Sequence, residues 1–329
     1  MGTALRLFAS LLLFVTSLLL SLLGIEALLR AGFLVPKEVR LTIVKERPKS
    51  RMSDPDFREP GFRVGDKQGA YRILVVGDSF AWGDGVYSED AFPSRLETRL
   101  NRVSRGDRFE VINWSRPGWN TVRQLRSLEP ELAELDPDLL ILAFVLNDPQ
   151  PVQRSRLEQM LAPAEGRQPA PGLSSWLFEN SRFYALVWTR LENSRTHRAL
   201  SAFYHRLYEG EHWEACRRAL KRMRNLTRNR GIPMVLVVFP VFDSPMDSRY
   251  PYADLHAQMR EQGEVLKIPV LDLFEVFEGM DTRRLAVVPF TDAHPSEIAH
   301  RVAADGIVDY LVHGKLVPRV NSRPKRPRK

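Results

Sequence analysis

Three residues of this chain have side chains and surroundings suited to splitting an acyl bond. Ser79 closes the run Arg72-Ile-Leu-Val-Val-Gly-Asp-Ser79. Its four consecutive apolar residues, three of them β-branched, read as a strand buried on both faces. Gly77 then permits a sharp exit. The Ser79 hydroxyl is left at the carboxyl end of a central parallel strand, the edge where open α/β sheets bind ligands. A serine hydroxyl is weak at neutral pH and needs a base beside it. Of the seven histidines, His294 is the best placed, before Pro295 at the start of an amphipathic helix that ends the fold. Asp292, two residues earlier, can orient an imidazole and stabilise its protonated form. Each motif alone has a plainer reading. A Gly-Asp-Ser triplet occurs by accident, a lone histidine is usually a surface residue, and an aspartate before a helix can serve as its cap.

Taken together, four stretches occur in a telling order. They are Gly77-Asp-Ser-Phe80 with Gly83-Asp-Gly-Val86, then Asn113-Trp-Ser-Arg-Pro-Gly118-Trp-Asn-Thr121, then Asn147-Asp148 after the run Leu139–Phe144, and last Asp292-Ala-His294-Pro-Ser-Glu-Ile-Ala-His300. In this order the chain resembles the SGNH (GDSL-type) hydrolase family from about Tyr71 to His313, with no short motif matching in the middle third. The resemblance implies Ser79 as nucleophile, His294 as base and Asp292 as its orienting acid. It also implies an oxyanion hole made by the backbone N–H of Ser79, the backbone N–H of Gly118 and the side-chain amide of Asn147. Glycine suits that role because no Cβ keeps a substrate from its N–H, and an asparagine amide donates without competing as a base. Two positions depart from the family pattern. The acid commonly lies three residues before the histidine, where this chain has Thr291, and a glycine usual two residues before the asparagine is Val145 here. The resemblance implies neither metal nor organic cofactor. Asp78 and Asp148 read as turn-fixing residues, and His300 as a packing or surface residue. A zinc site from Asp292, His294 and His300 lacks the i, i+4 histidine pair and a third ligand.

The elements that must carry these residues alternate. Strands are expected at Arg72–Val76, Phe109–Asn113, Leu139–Phe144, Met234–Phe239 and Pro269–Leu273, and helices at Ala91–Val103, Thr121–Leu135, Trp213–Asn229 and Asp254–Gln262. This alternation argues for a parallel sheet covered on both faces, and the resemblance implies a flavodoxin-like three-layer α/β/α sandwich with a parallel five-stranded sheet. The interval 149–211 breaks the rhythm with Pro149, Pro151, Pro163, Pro169 and Pro171, then an aromatic-rich helical section. Following the third strand, it reads as a helical cap over the active-site edge, or equally as an aromatic core of added helices.

The N-terminal run Leu7–Ile25 holds 19 residues without a charge. As a helix it spans about 28 Å, close to the hydrocarbon thickness of a bilayer. An uncleaved transmembrane anchor is expected; a cleaved signal peptide competes, but no small-x-small cleavage site follows. Residues 1–30 are therefore read as the anchor, 31–70 as a basic, proline-punctuated linker, 71–313 as the hydrolase domain and 314–329 as a disordered tail. That tail carries seven basic residues and no acid, and so accounts for nearly all of the net charge of +8. With the remainder nearly neutral, a nucleic-acid partner has little support. Basic residues after the anchor would place that side in the cytoplasm by simple counting; the short signal-like leader and the resemblance point to an extracytoplasmic catalytic domain. The lone Cys216 excludes an intramolecular disulfide. The expected function is serine-esterase hydrolysis of O-acyl groups on an envelope carbohydrate or lipid, with a glycan or lipid ester, or a small-molecule ester, as substrate. The alternatives are a polysaccharide O-acetyltransferase using the same triad and a catalytically silent glycan-binding or scaffold module. Protein partners are unknown.

Overall fold

The structure is a computed structural model, and it describes residues 2–32, 67–104, 106–150, 169–288 and 292–318. Most of the linker, the proline-rich start of the insertion, Thr291 and most of the basic tail lie outside the described residues. In chain order the elements are α1 (Gly2–Arg30), β1 (Tyr71–Gly77), α2 (Ser79–Trp82), α3 (Phe92–Val103), β2 (Phe109–Ser115), α4 (Thr121–Leu135) and β3 (Leu139–Val145). They continue with α5 (Leu173–Asn180), α6 (Arg182–Leu207), α7 (Gly210–Asn229), β4 (Met234–Phe239), α8 (Ala253–Leu266) and β5 (Val270–Asp272). Short α9 (Phe274–Phe277), β6 (Ala286–Val288) and β7 (Asp292–Pro295) precede the closing helix α10 (Glu297–His313).

The five apolar runs pair as one parallel sheet in the order β2-β1-β3-β4-β5. Strands β3 and β4 are buried along their whole length, which is what continuous Leu, Ile, Val and Phe predict for a strand with helices on both faces. β1 sits between β2 and β3, so strand progression reverses beside it, and the carboxyl ends there form the crevice in which such sheets bind ligands. In α3 the buried residues Phe92, Leu96 and Leu100 recur every four positions, and this stripe packs along α10. α4 packs along α7, which in turn meets α8. Asn120 starts α4 by accepting the Arg123 N–H at 2.9 Å on its side chain. Each expected strand and helix is present within a few residues.

The described residues form two compact units. One joins 2–32 to 169–200; the other comprises 67–150 and 201–318 and contains the sheet. In the second unit the last aromatics of the insertion are core residues: Phe203, Tyr204 and Tyr208 are buried. The rings of Tyr204 and Tyr252 lie 5.0 Å apart, and those of Tyr208 and Trp213 4.9 Å apart. In the first unit, α1 is long and apolar enough to cross a membrane, with mean hydropathy 2.4, a composition that anchors and signal sequences share.

Candidate active site

Ser79 is the first residue of α2, reached through a tight junction. A Cβ on Gly77 would stand 2.7 Å from the Ala81 Cβ and 3.2 Å from both Cβ and O of Ala143. Only glycine lets the end of β1 pass so close to α2 and β3. Asp78 then caps α2, its Oδ1 accepting the Phe80 N–H at 2.9 Å. Gly83, at φ +86°, turns the chain out again. Asn113 of β2 fastens the short helix, donating from Nδ2 to the Ala81 carbonyl at 2.9 Å.

The histidine block takes a different conformation from the one its sequence suggests. Asp292 and His294 lie on strand β7, antiparallel to β6, and the helix begins only at Glu297. Ser296, whose Oγ accepts the Ala299 N–H, is its N-cap, so Asp292 is not occupied in capping. On a strand, residues two apart point to one side, and a two-residue separation therefore suits the pair. His294 Nδ1 lies 2.6 Å from Asp292 Oδ1, which also accepts the His294 backbone N–H at 3.2 Å. His294 Nε2 lies 2.9 Å from Ser79 Oγ. With Asp292 ionised, Nδ1 carries the proton and Nε2 presents its lone pair to the serine hydroxyl. Asp84 stands further off, 3.9 Å from Nε2. Burial works against the imidazolium, but the hydrogen bond to Asp292 and the charges of Asp292, Asp84 and Asp78 outweigh it and raise the His294 pKa above its ordinary 6.5.

The remaining site residues named from sequence stand at the same edge of the sheet. The N–H of Ser79, at the start of a helix, has no helical acceptor. Gly118, at φ +74°, is the third residue of a turn closed by the Trp119 N–H donating to the Arg116 carbonyl at 3.1 Å. Pro117 before a left-handed glycine is the signature of a type II turn. It follows β2, whose Ser115 pairs with Gly77. Asn147 follows β3, and its side-chain Oδ1 is buried with no hydrogen-bond partner.

Beneath this edge lies a pair of buried carboxylates whose shared environment was not read from sequence. Asp148 accepts the Val145 N–H on Oδ2 and the Gln124 amide on Oδ1, both at 2.8 Å. Val145 is thus engaged through its backbone, which any residue supplies. Burial, then the charge of Asp78, push the Asp148 pKa well above the carboxylate range. Burial is also the largest influence on Asp78, raised to about 6. The signal for the pair is two acids following two buried strands that are neighbours in the sheet, visible only once strand order is known. His300 is fully buried, accepting the Phe92 N–H on Nδ1 at 3.1 Å.

Residues 75–302 match the sequence profile of the GDSL-like Lipase/Acylhydrolase family. Fold and family together define a hydrolase of ester bonds. The chain belongs to the GDSL-like lipase/acylhydrolase family. Among solved structures it is similar to a lipase/acylhydrolase from Enterococcus faecalis, with 16% identity, 76% of this chain and 99% of that one covered, and a TM-score of 0.45. It is similar also to an acetyl xylan esterase (12% identity, 73% and 100% covered, TM-score 0.46). A two-domain esterase active on acetylated mannans gives 15% identity, 80% and 54% coverage and a TM-score of 0.44. No curated protein sequence matches the chain.

Proposed function

We propose that the protein is a membrane-anchored serine esterase whose catalytic domain, about 71–313, faces away from the cytoplasm and removes O-acyl groups from an envelope carbohydrate or lipid. The observation that carries this reading is the hydrogen-bonded line from Ser79 Oγ through the His294 ring to Asp292. Ser79 Oγ attacks the ester carbonyl while its proton passes to His294 Nε2. Asp292 stabilises the imidazolium that forms. The N–H groups of Ser79 and Gly118 and the amide of Asn147 receive the developing oxyanion. His294 returns the proton to the departing alcohol. Water, deprotonated by the same imidazole, then releases the acid and regenerates the serine. The apolar run Leu7–Ile25 supports the anchor, and the short signal-like leader ahead of that run, with Arg6 as its one basic residue, supports the outward orientation.

The test is product analysis with the full chain in detergent micelles. An aryl acetate and an O-acetylated oligosaccharide are supplied with and without an unacetylated glycan acceptor. Free acetate that is unaffected by acceptor, and absent in Ser79→Ala, is the expected result. Acetyl transferred to glycan in excess of free acetate would replace the esterase by an acetyltransferase. Glycan binding without any turnover would mean a silent module.

A further inference from the structure

The end of α1 is built into the fold of the first unit. Glu26 is the first charged residue after the 19-residue apolar run. Its carboxylate accepts the backbone N–H groups of Arg182 and Phe183, each at 2.9 Å, and the Ser181 hydroxyl at 3.0 Å. Glu26 therefore supplies from another helix the cap that the first turn of α6 needs. One turn further, Arg30 donates to the Asn180 carbonyl at 2.6 Å, at the C-terminal end of α5, and to Glu26 at 2.7 Å. The residues of α1 shielded from solvent, Leu22, Ile25, Glu26 and Leu29, form one stripe at helical spacing in its last two turns. Residues 6–20 are exposed throughout.

α5 and α6 also close on each other. The Ser174 and Tyr184 hydroxyls are 2.6 Å apart, and the Phe178 and Trp188 rings meet at 5.1 Å. What this leaves outside is apolar. Leu173 is 73% exposed and Trp176 58%, at i, i+3 on α5; Val187 and Leu191, at i, i+4 on α6, are also exposed. The same stretch of α6 carries Arg182, Arg190, Arg195 and Arg198 against one acid, Glu192. Because Glu26 sits where the apolar run ends, whatever it grips lies at the depth of the lipid headgroups. Exposed Trp and Leu beside arginines are the composition of a surface that rests in that layer.

We propose that α5 and the first turns of α6 lie in the interfacial layer of the same bilayer that α1 crosses. Glu26 and Arg30 hold them there, with Trp176, Leu173, Val187 and Leu191 towards lipid. This rests on α1 being a retained anchor, and it adds a second lipid-contacting surface docked to that anchor.

The test uses the full chain with Cys216→Ala, in vesicles of phosphatidylcholine and phosphatidylglycerol. Single nitroxide labels replace Leu13, Trp176, Val187, Leu191 or, on the sheet-bearing unit, Glu261. Collision with oxygen is compared with collision with a water-soluble nickel chelate. Labels at 13, 176, 187 and 191 should favour oxygen, and the label at 261 should favour the chelate. Glu26→Ala should raise hydrogen exchange at the Arg182 and Phe183 amides about five- to tenfold. A lipid signal at 13 with aqueous signals at 176, 187 and 191 overturns the proposal and leaves the anchor standing. Labels at 176, 187 and 191 shielded from both reagents mean that a protein surface covers this face, which also overturns it. An aqueous signal at 13, or loss of α1 from the mature chain by intact mass, overturns the anchor and the proposal together.

Discussion

In the proposed mechanism the Ser79 hydroxyl becomes a useful nucleophile only through the imidazole 2.9 Å from it, and that imidazole must be neutral to accept a proton. Because the His294 pKa lies above 6.5, kcat/KM should fall as pH drops through a midpoint above 6.5. Asp292→Asn removes the largest influence raising that pKa. It should lower kcat roughly 10³- to 10⁴-fold and shift the midpoint to lower pH. A pH–rate profile of aryl acetate hydrolysis by both proteins checks both effects; a midpoint unmoved in the variant would detach Asp292 from His294. The buried acid Asp148 makes a separate statement about stability. Its folded pKa lies well above the ordinary 3.8, so between those two values the native state holds a proton that the unfolded chain releases. Stability should therefore decline with rising pH, by up to about 1.4 kcal/mol per unit from this group. Asp148→Asn should remove that decline, the Gln124 amide turning so that its unpartnered Oε1 accepts from the new Asn. Urea midpoints measured from pH 5 to 8 would show wild type losing more stability than the variant.

How far the elements could be read from the chain depended on how much each buries. Leu139–Val145 and Met234–Phe239 declare themselves as strands because both of their faces are covered. The stripe Phe92, Leu96, Leu100 declares a helix for the corresponding reason. Asp292-Ala-His-Pro295 offers no such pattern: it is four residues long, half polar, and followed by a helix start at Ser296. Its extended form comes from pairing with β6, a tertiary contact no local periodicity encodes. That conformation removes the difficulty of the two-residue spacing, since it places both side chains on one side. Strand order was equally silent in the sequence, and with it the meeting of Asp78 and Asp148. At the exit of β1 the constraint is steric, and Gly77→Ala should show it. The added methyl must displace Ala81 or Ala143, at a cost of roughly 1–3 kcal/mol, and in moving α2 it moves Ser79. Activity should fall further than the loss of folded protein explains, as active-site titration against a denaturation curve would reveal. A variant destabilised but fully active per folded molecule would mean that the junction does not position the serine.

The described residues divide between two compact units. The sheet, the serine, the histidine and the aspartate all belong to the unit of residues 67–150 and 201–318, and the family match at 75–302 covers most of that unit and also takes in residues 169–200 of the other. A fragment beginning at Lys67 should accordingly fold, hydrolyse aryl acetate within a few-fold of the full chain, and, lacking α1 but keeping α5 and α6, be stripped from vesicles by alkaline carbonate that leaves the full chain bound. Circular dichroism, turnover and flotation measured on one preparation would test this, and an unfolded fragment would mean that α1 contributes to the stability of the catalytic unit. The net charge of +8 is little guide to function because it is concentrated in the last sixteen residues of the sequence. The most direct test of the account is the reaction of the full chain with a fluorophosphonate, read by intact mass and peptide mapping. Wild type should gain one phosphonyl group, located on Ser79, at a rate that collapses in His294→Ala, and Ser79→Ala should gain none. A folded wild type that remains unlabelled, or an adduct that persists in Ser79→Ala, would contradict the serine mechanism.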